Sequence, residues 1–222
     1  MNTQVKRNCN WTMYEDAPAE LLELLPMHKF EQYGFAESMK LQEEATELGW
    51  VWVDKGYYNR VFQHESLPGL LLKIYGVEHM SELYNLENAT VQEHEVLDVL
   101  KDVPGVPKLF ASFNYGCVVE FIKGDLLEHA CSAYLKENQK SIEENLFEFS
   151  NSCIERGLVP NDMHGENIIL REDIPYCIDY NRFTPVARFH LANRNGVSRD
   201  TWIDFVSNDW QYVFLKRRAF AG

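Results

Sequence analysis

Pro160-Asn161-Asp162-Met163-His164-Gly165-Glu166-Asn167-Ile168-Ile169-Leu170 is followed, after a short connection, by Tyr176-Cys177-Ile178-Asp179-Tyr180. The first stretch reads as a loop that runs into an apolar strand, and the second as the strand returning beside it after a turn. Asp162 offers a carboxylate, Asn167 an amide oxygen five residues on, and Asp179 a second carboxylate where the returning strand ends. Hard oxygen donors of this kind hold Mg²⁺ against phosphates. Phosphoryl transfer asks a protein for little beyond that, an oriented nucleophile and positive charge on the phosphates. Either loop residue alone has a plainer explanation, because Asp and Asn favour turns through local hydrogen bonds. The order and spacing of all three favour the chemical reading.

Working upstream, KLFASFN (108–114) and GCVVEFI (116–122) read as two strands joined through Tyr115-Gly116. Before them WVWVDKGYYNRVFQHE (50–65) and GLLLKIY (69–75), rich in Val, Leu and aromatic residues and broken by turn residues, predict three short antiparallel strands. Helical periodicity is expected over 17–48, over 78–101 up to Pro104-Gly105-Val106-Pro107, over 126–156, and in one or two segments of 198–220. A small sheet domain followed by a mostly helical one leaves a cleft, a common place for a ligand.

The loop and strand end now carry a resemblance. Asp162 with Asn167 is similar to the catalytic loop of the protein-kinase superfamily, and Ile178-Asp179-Tyr180-Asn181 to its metal-binding segment. The resemblance covers residues 50 to 181 and implies an α+β, two-lobed protein-kinase-like fold. That fold has a small antiparallel-sheet N-lobe and a truncated, mostly helical C-lobe. The resemblance also implies ATP and Mg²⁺ as cofactors. Asp54 to Phe62 resembles the glycine-rich loop, with Gly56 as its one glycine, Asn59 in place of the last, and Val61-Phe62 closing it. An asparagine at that point is similar to small-molecule kinases such as aminoglycoside and choline phosphotransferases. Lys73 resembles the strand lysine on the α- and β-phosphates, Glu93 the helix glutamate that pairs with it (Glu95 is the alternative), and Val118 to Gly124 the adenine-binding hinge, with Glu120 and Ile122 at the nucleotide. In the same terms Asp162 is the catalytic residue, with Lys73 and His164 beside it, and Asn167 and Asp179 are the metal ligands. No APE-like motif follows, and the size is similar to minimal kinases of bacterial effectors and phages.

The plainer readings are a strand-edge charge for Lys73, a solvated helix face for Glu93 and a simple turn for Gly56. The company of the other motifs favours the phosphate-binding roles. The remaining histidines lack metal-ligand spacing, and neither GxxxxGK nor GxSxG occurs, which argues against P-loop and α/β-hydrolase chemistry.

Three regions are therefore expected: a helical extension over 1–49, an N-lobe over 50–122 and a reduced C-lobe over 123–222. The 222 residues carry 45% apolar and 25% charged side chains, the balance of a folded, soluble protein. A net charge of −13 disfavours nucleic acid and anionic membrane as partners, though a local cluster can still bind a nucleotide. The five cysteines are scattered with no CxxC, and no signal-peptide core or membrane span is read. That suits the cytoplasm, with delivery into a host cell by a route lacking a cleaved apolar signal left open. The acceptor expected first is Ser or Thr of a protein; a small-molecule acceptor and a pseudokinase binding module are the alternatives.

Overall fold

Trp50 is fully buried, and its indole N–H donates to the Leu24 carbonyl at 2.7 Å. This bond ties the strand that Trp50 opens to the chain that precedes it. The computed structural model describes residues 11–29, 34–55, 59–75, 93–160, 163, 165–181 and 183–185. The described chain divides into two compact units, the first within Met1–Leu86 and Lys108–Phe121, the second within Glu87–Pro107 and Ile122–Gly222.

In the first unit an antiparallel sheet of six strands contains β1 (Thr12–Met13), β2 (Trp50–Lys55), β3 (Asn59–His64), β4 (Leu67–Tyr75), β5 (Leu109–Phe113) and β6 (Gly116–Glu120). Their order is β1-β5-β6-β4-β3-β2. The five strands expected from Val, Leu and aromatic content are present. The sixth, β1, is only two residues long, too short to show an alternating pattern.

The helical reading of 17–48, divided at Pro26 and Gly34, corresponds to helices α1 (Leu21–Leu24) and α2 (Phe35–Glu47), the first much shorter than expected. Leu25 is extended (φ −81°, ψ 135°) because Pro26 follows it, and proline disfavours the helical region for the residue before it. Leu21, Leu25, Leu41 and Ala45 form one core with Trp50, Phe62, Leu72, Ile74, Ala111 and Val118 of the sheet. Met27 N–H also donates to the Glu44 carboxylate at 2.8 Å, and Trp11 Nε1 to the Pro26 carbonyl at 2.9 Å. The segment before Trp50 is thus part of the sheet's own core.

The second unit is built on α4 (Ser132–Glu155), a 24-residue helix whose buried stripe includes Leu135, Ile142, Leu146, Phe149 and Cys153. Helix α3 (Glu93–Leu100) precedes it in sequence. Strands β7 (Asp125–Leu126), β9 (Ile168–Arg171) and β10 (Ile174–Cys177) make a three-stranded sheet in the order β10-β9-β7. Strand β8 (Leu158–Val159) pairs with β11 (Thr184–Pro185). The helical reading of 126–156 therefore begins too early: Leu126 pairs with Ile169, and the helix starts at Ser132. Gly124 permits that pairing, since a Cβ there would lie 2.1 Å from the Leu170 carbonyl oxygen. The expected helices over 78–92 and 198–220 lie outside the described residues. No helix among the described residues is long and apolar enough to cross a membrane.

Candidate active site

Strand pairing in the first unit sets Lys73. It lies opposite Val61 of β3 and Cys117 of β6, between Leu72 and Ile74, which face the core. Side chains alternate across a strand, so Lys73 projects from the face away from α1 and α2. It is buried, as is Asn59, which pairs with Tyr75 two positions along. Asn59, Val61 and Lys73 are therefore gathered on one region of β3 and β4, and Gly56 lies outside the described residues. Gly116 lets β6 approach closely, because a Cβ there would meet the Lys73 carbonyl at 2.6 Å.

Glu120 ends β6 opposite Leu70. Its N–H donates to the Lys108 carbonyl at 2.8 Å, and the Phe121 N–H donates to the Gly69 carbonyl at 2.8 Å. Ile122 is buried and begins the second stretch of chain in the second unit.

In the second unit the pair Asn167 and Asp179 is set by one hairpin. Gly165–Asn167 form a 3₁₀ turn that leads directly into β9. Ile168 is opposite Cys177, and the Ile178 N–H donates to the Asn167 carbonyl at 3.0 Å. The ladder thus continues one step beyond the strands and brings the amide-bearing residue beside the segment carrying Asp179. Helix α4 holds the far end of this hairpin. Tyr134 Oη donates to the Glu172 carbonyl, Ser141 Oγ to the Asp173 carboxylate, and Asn145 Nδ2 to the Asp173 carbonyl. At the near end, the Cys177 N–H donates to the Gly105 carbonyl at 3.1 Å.

Asp179 is half-buried, and one of its oxygens, Oδ1, accepts from Asn181 N at 3.0 Å and from Asn181 Nδ2 at 2.7 Å. Its carbonyl accepts from the Cys177 thiol at 3.3 Å. The next residue, Tyr180, is buried with its ring 4.8 Å from Phe183. Burial, with Cys177, Cys153 and Glu93 nearby, pushes the Tyr180 hydroxyl well above its ordinary pKa, so it stays neutral. Glu93 is almost wholly buried, while Glu95 is exposed. Asp162 and His164 lie outside the described residues; their neighbours Met163 and Gly165 are buried.

Asn181 closes the Ile178–Asn181 motif, and the resemblance gives it no role. Its signal was the habit of Asn in turns of bonding to nearby groups.

No protein-family model matches the sequence, and no curated protein matches it. Among solved structures, the kinase PK-1 of Cydia pomonella granulovirus is similar at a TM-score of 0.51. It is 16% identical, over 81% of this chain and 75% of that one. APH(2″)-IIa in its ternary complex with streptomycin and ATP is similar at a TM-score of 0.45 with 12% identity, over 77% and 81% of the two chains. The second likeness is too remote to carry weight. The chain has the protein-kinase-like fold, α+β with a small antiparallel-sheet unit.

Proposed function

We propose that this protein is an ATP- and Mg²⁺-dependent phosphotransferase that moves the γ-phosphoryl group of ATP to a hydroxyl. The observation that supports the reading is the bond from the Ile178 N–H to the Asn167 backbone carbonyl, which brings residue 167 beside the segment that carries Asp179 at one end of a braced hairpin. These residues fit Mg²⁺, which takes a few hard protein oxygens and completes its shell with phosphates and water.

In this reading Asn167 and Asp179 hold the ion, and Mg²⁺ when bound supplies positive charge between the phosphates. Lys73 neutralises the α- and β-phosphates, and Glu93 holds Lys73. Gly56, Asn59 and Val61 roof the nucleotide. Glu120 and Ile122 meet adenine through the backbone; the Glu120 and Phe121 amides are already bonded, whereas the Ile122 amide carries no bond among the described residues. Asp162 orients the acceptor hydroxyl. As the acceptor oxygen bonds to the γ-phosphorus, the bond to the departing ADP oxygen breaks and the proton passes to Asp162. His164, two residues on, is assigned to the transferred phosphate.

The acceptor assigned first is Ser or Thr of a protein, in a reducing cytoplasm. A small-molecule acceptor is the second reading, favoured by Asn59 at the glycine position. Radiolabelled ATP with cell lysate, and separately with a panel of alcohols and aminoglycosides, tests the assignment. Label in lysate proteins that is lost in Asp162→Ala supports the first reading. Label confined to a small soluble product moves it to the second. Mg²⁺-independent ATP binding with no turnover on any acceptor would leave a binding module.

A further inference from the structure

We propose that Asn181 is a positioning residue that fixes the Asp179 carboxylate in its metal-holding orientation before any ion binds. This inference rests on the reading of Asp179 as a metal ligand. Asn181 is 6% exposed, and it donates twice, through its backbone N–H and its side-chain Nδ2, to the same oxygen of Asp179. Two donors on Oδ1 fix both side-chain torsions of Asp179. They leave Oδ2, which accepts nothing among the described residues, as the oxygen offered to a cation.

The surrounding turn is held independently. The Asp179 carbonyl accepts from the Cys177 thiol, and the Phe183 N–H closes on the Tyr180 carbonyl at 3.2 Å. Phe183 in turn lies 6.4 Å, centroid to centroid, from Phe149 of α4. Asn181 therefore acts on a carboxylate whose backbone is already anchored. Its side chain contributes orientation, the role of the outer-shell hydrogen bonds that hold a ligand's geometry. A glycine at 181 would keep the backbone bond and lose only the Nδ2 bond, which isolates the side chain's share.

The test is the Mg²⁺ concentration that half-saturates the ATP-induced rise in melting temperature, measured for the wild type, Asn181→Gly, Asn181→Ala and Asn181→Ser. Loss of an outer-shell partner raises the requirement for metal by about tenfold or more. We expect that rise in the Gly and Ala variants, and a partial return in Asn181→Ser, whose hydroxyl can still donate. In turnover, the Mg²⁺ requirement should move more than kcat at saturating metal. An unchanged Mg²⁺ midpoint in the folded Gly or Ala variant would overturn the inference while leaving Asp179 as a ligand. A wild-type protein with no Mg²⁺-dependent shift would overturn the inference together with the reading beneath it. If Asn181→Ala does not fold, Asn181→Gly and Asn181→Ser carry the same comparison.

Discussion

The Asn167 carbonyl accepts the Ile178 N–H at 3.0 Å, and this bond joins the loop residue to the segment that carries Asp179. It extends the β9–β10 ladder past Ile168 and Cys177, so the separation of the two candidate ligands is fixed by strand register and not by a flexible loop. A metal site set on rigid elements loses less entropy when the ion arrives.

Gly105 governs the near end of that hairpin. It has φ +81°, its carbonyl accepts the Cys177 N–H, and a Cβ would lie 2.3 Å from the Pro175 carbonyl oxygen. Gly105→Ala must both strain the backbone and push β10 away. We expect a loss of about 2–4 kcal/mol in unfolding free energy. Chemical denaturation measures it, and a loss below about 0.5 kcal/mol, the scale of a neutral surface change, would contradict the packing described.

Leu41 of α2 is fully buried in the core beneath the sheet, on the face away from Lys73. Truncation there should act on the fold and not on the nucleotide. Leu41→Ala is expected to cost about 2–5 kcal/mol of stability. Among molecules that remain folded, KM for ATP should be unchanged. A marked rise in KM without loss of stability would assign this segment a part in binding instead.

His94, on α3 beside the buried Glu93, has its pKa lowered by burial, an effect that the charges of Glu95 and Asp98 oppose. The folded protein therefore binds this proton less readily than the unfolded chain. Above the unfolded pKa of about 6.5 both states are neutral and the residue has no effect on the pH dependence. As pH falls through that value the unfolded chain protonates first, and stability declines until the folded pKa is passed. Melting temperatures from pH 7.5 to 5 should fall less steeply in His94→Gln than in the wild type; parallel slopes would exclude the contribution.

Much of this architecture was legible in the sequence. β2 to β6 announce themselves through Val, Leu and aromatic runs broken by turn residues, and Lys73 falls on the strand its motif required. β9 and β10 were legible from the apolar triplet and the return at Tyr176. β1 and β7 were not, because a two-residue strand exists only by pairing: Thr12 and Met13 with β5, Asp125 and Leu126 with β9. The shortness of α1 was not legible, because Ala17, Leu21, Leu22, Leu24 and Leu25 are all packed in or against one core and their spacing imitates a longer apolar helix face. Pro26 and Gly34 marked the division between the two helices. Asn181 was legible only as a turn former, since the convergence of both its N–H donors on one oxygen is a three-dimensional fact.

The most direct test of the account is transfer of radiolabel from γ-labelled ATP, with and without Mg²⁺, by the wild type and by Asp179→Ala. Asp179 is exposed enough to be altered without opening the core, so the variant should fold and give a native circular dichroism spectrum. The account predicts Mg²⁺-dependent transfer by the wild type and a fall of at least about a thousandfold in the variant, the scale for removing a group that stabilises charge in the transition state. Equal transfer by the two proteins, or transfer that is indifferent to Mg²⁺, would contradict it.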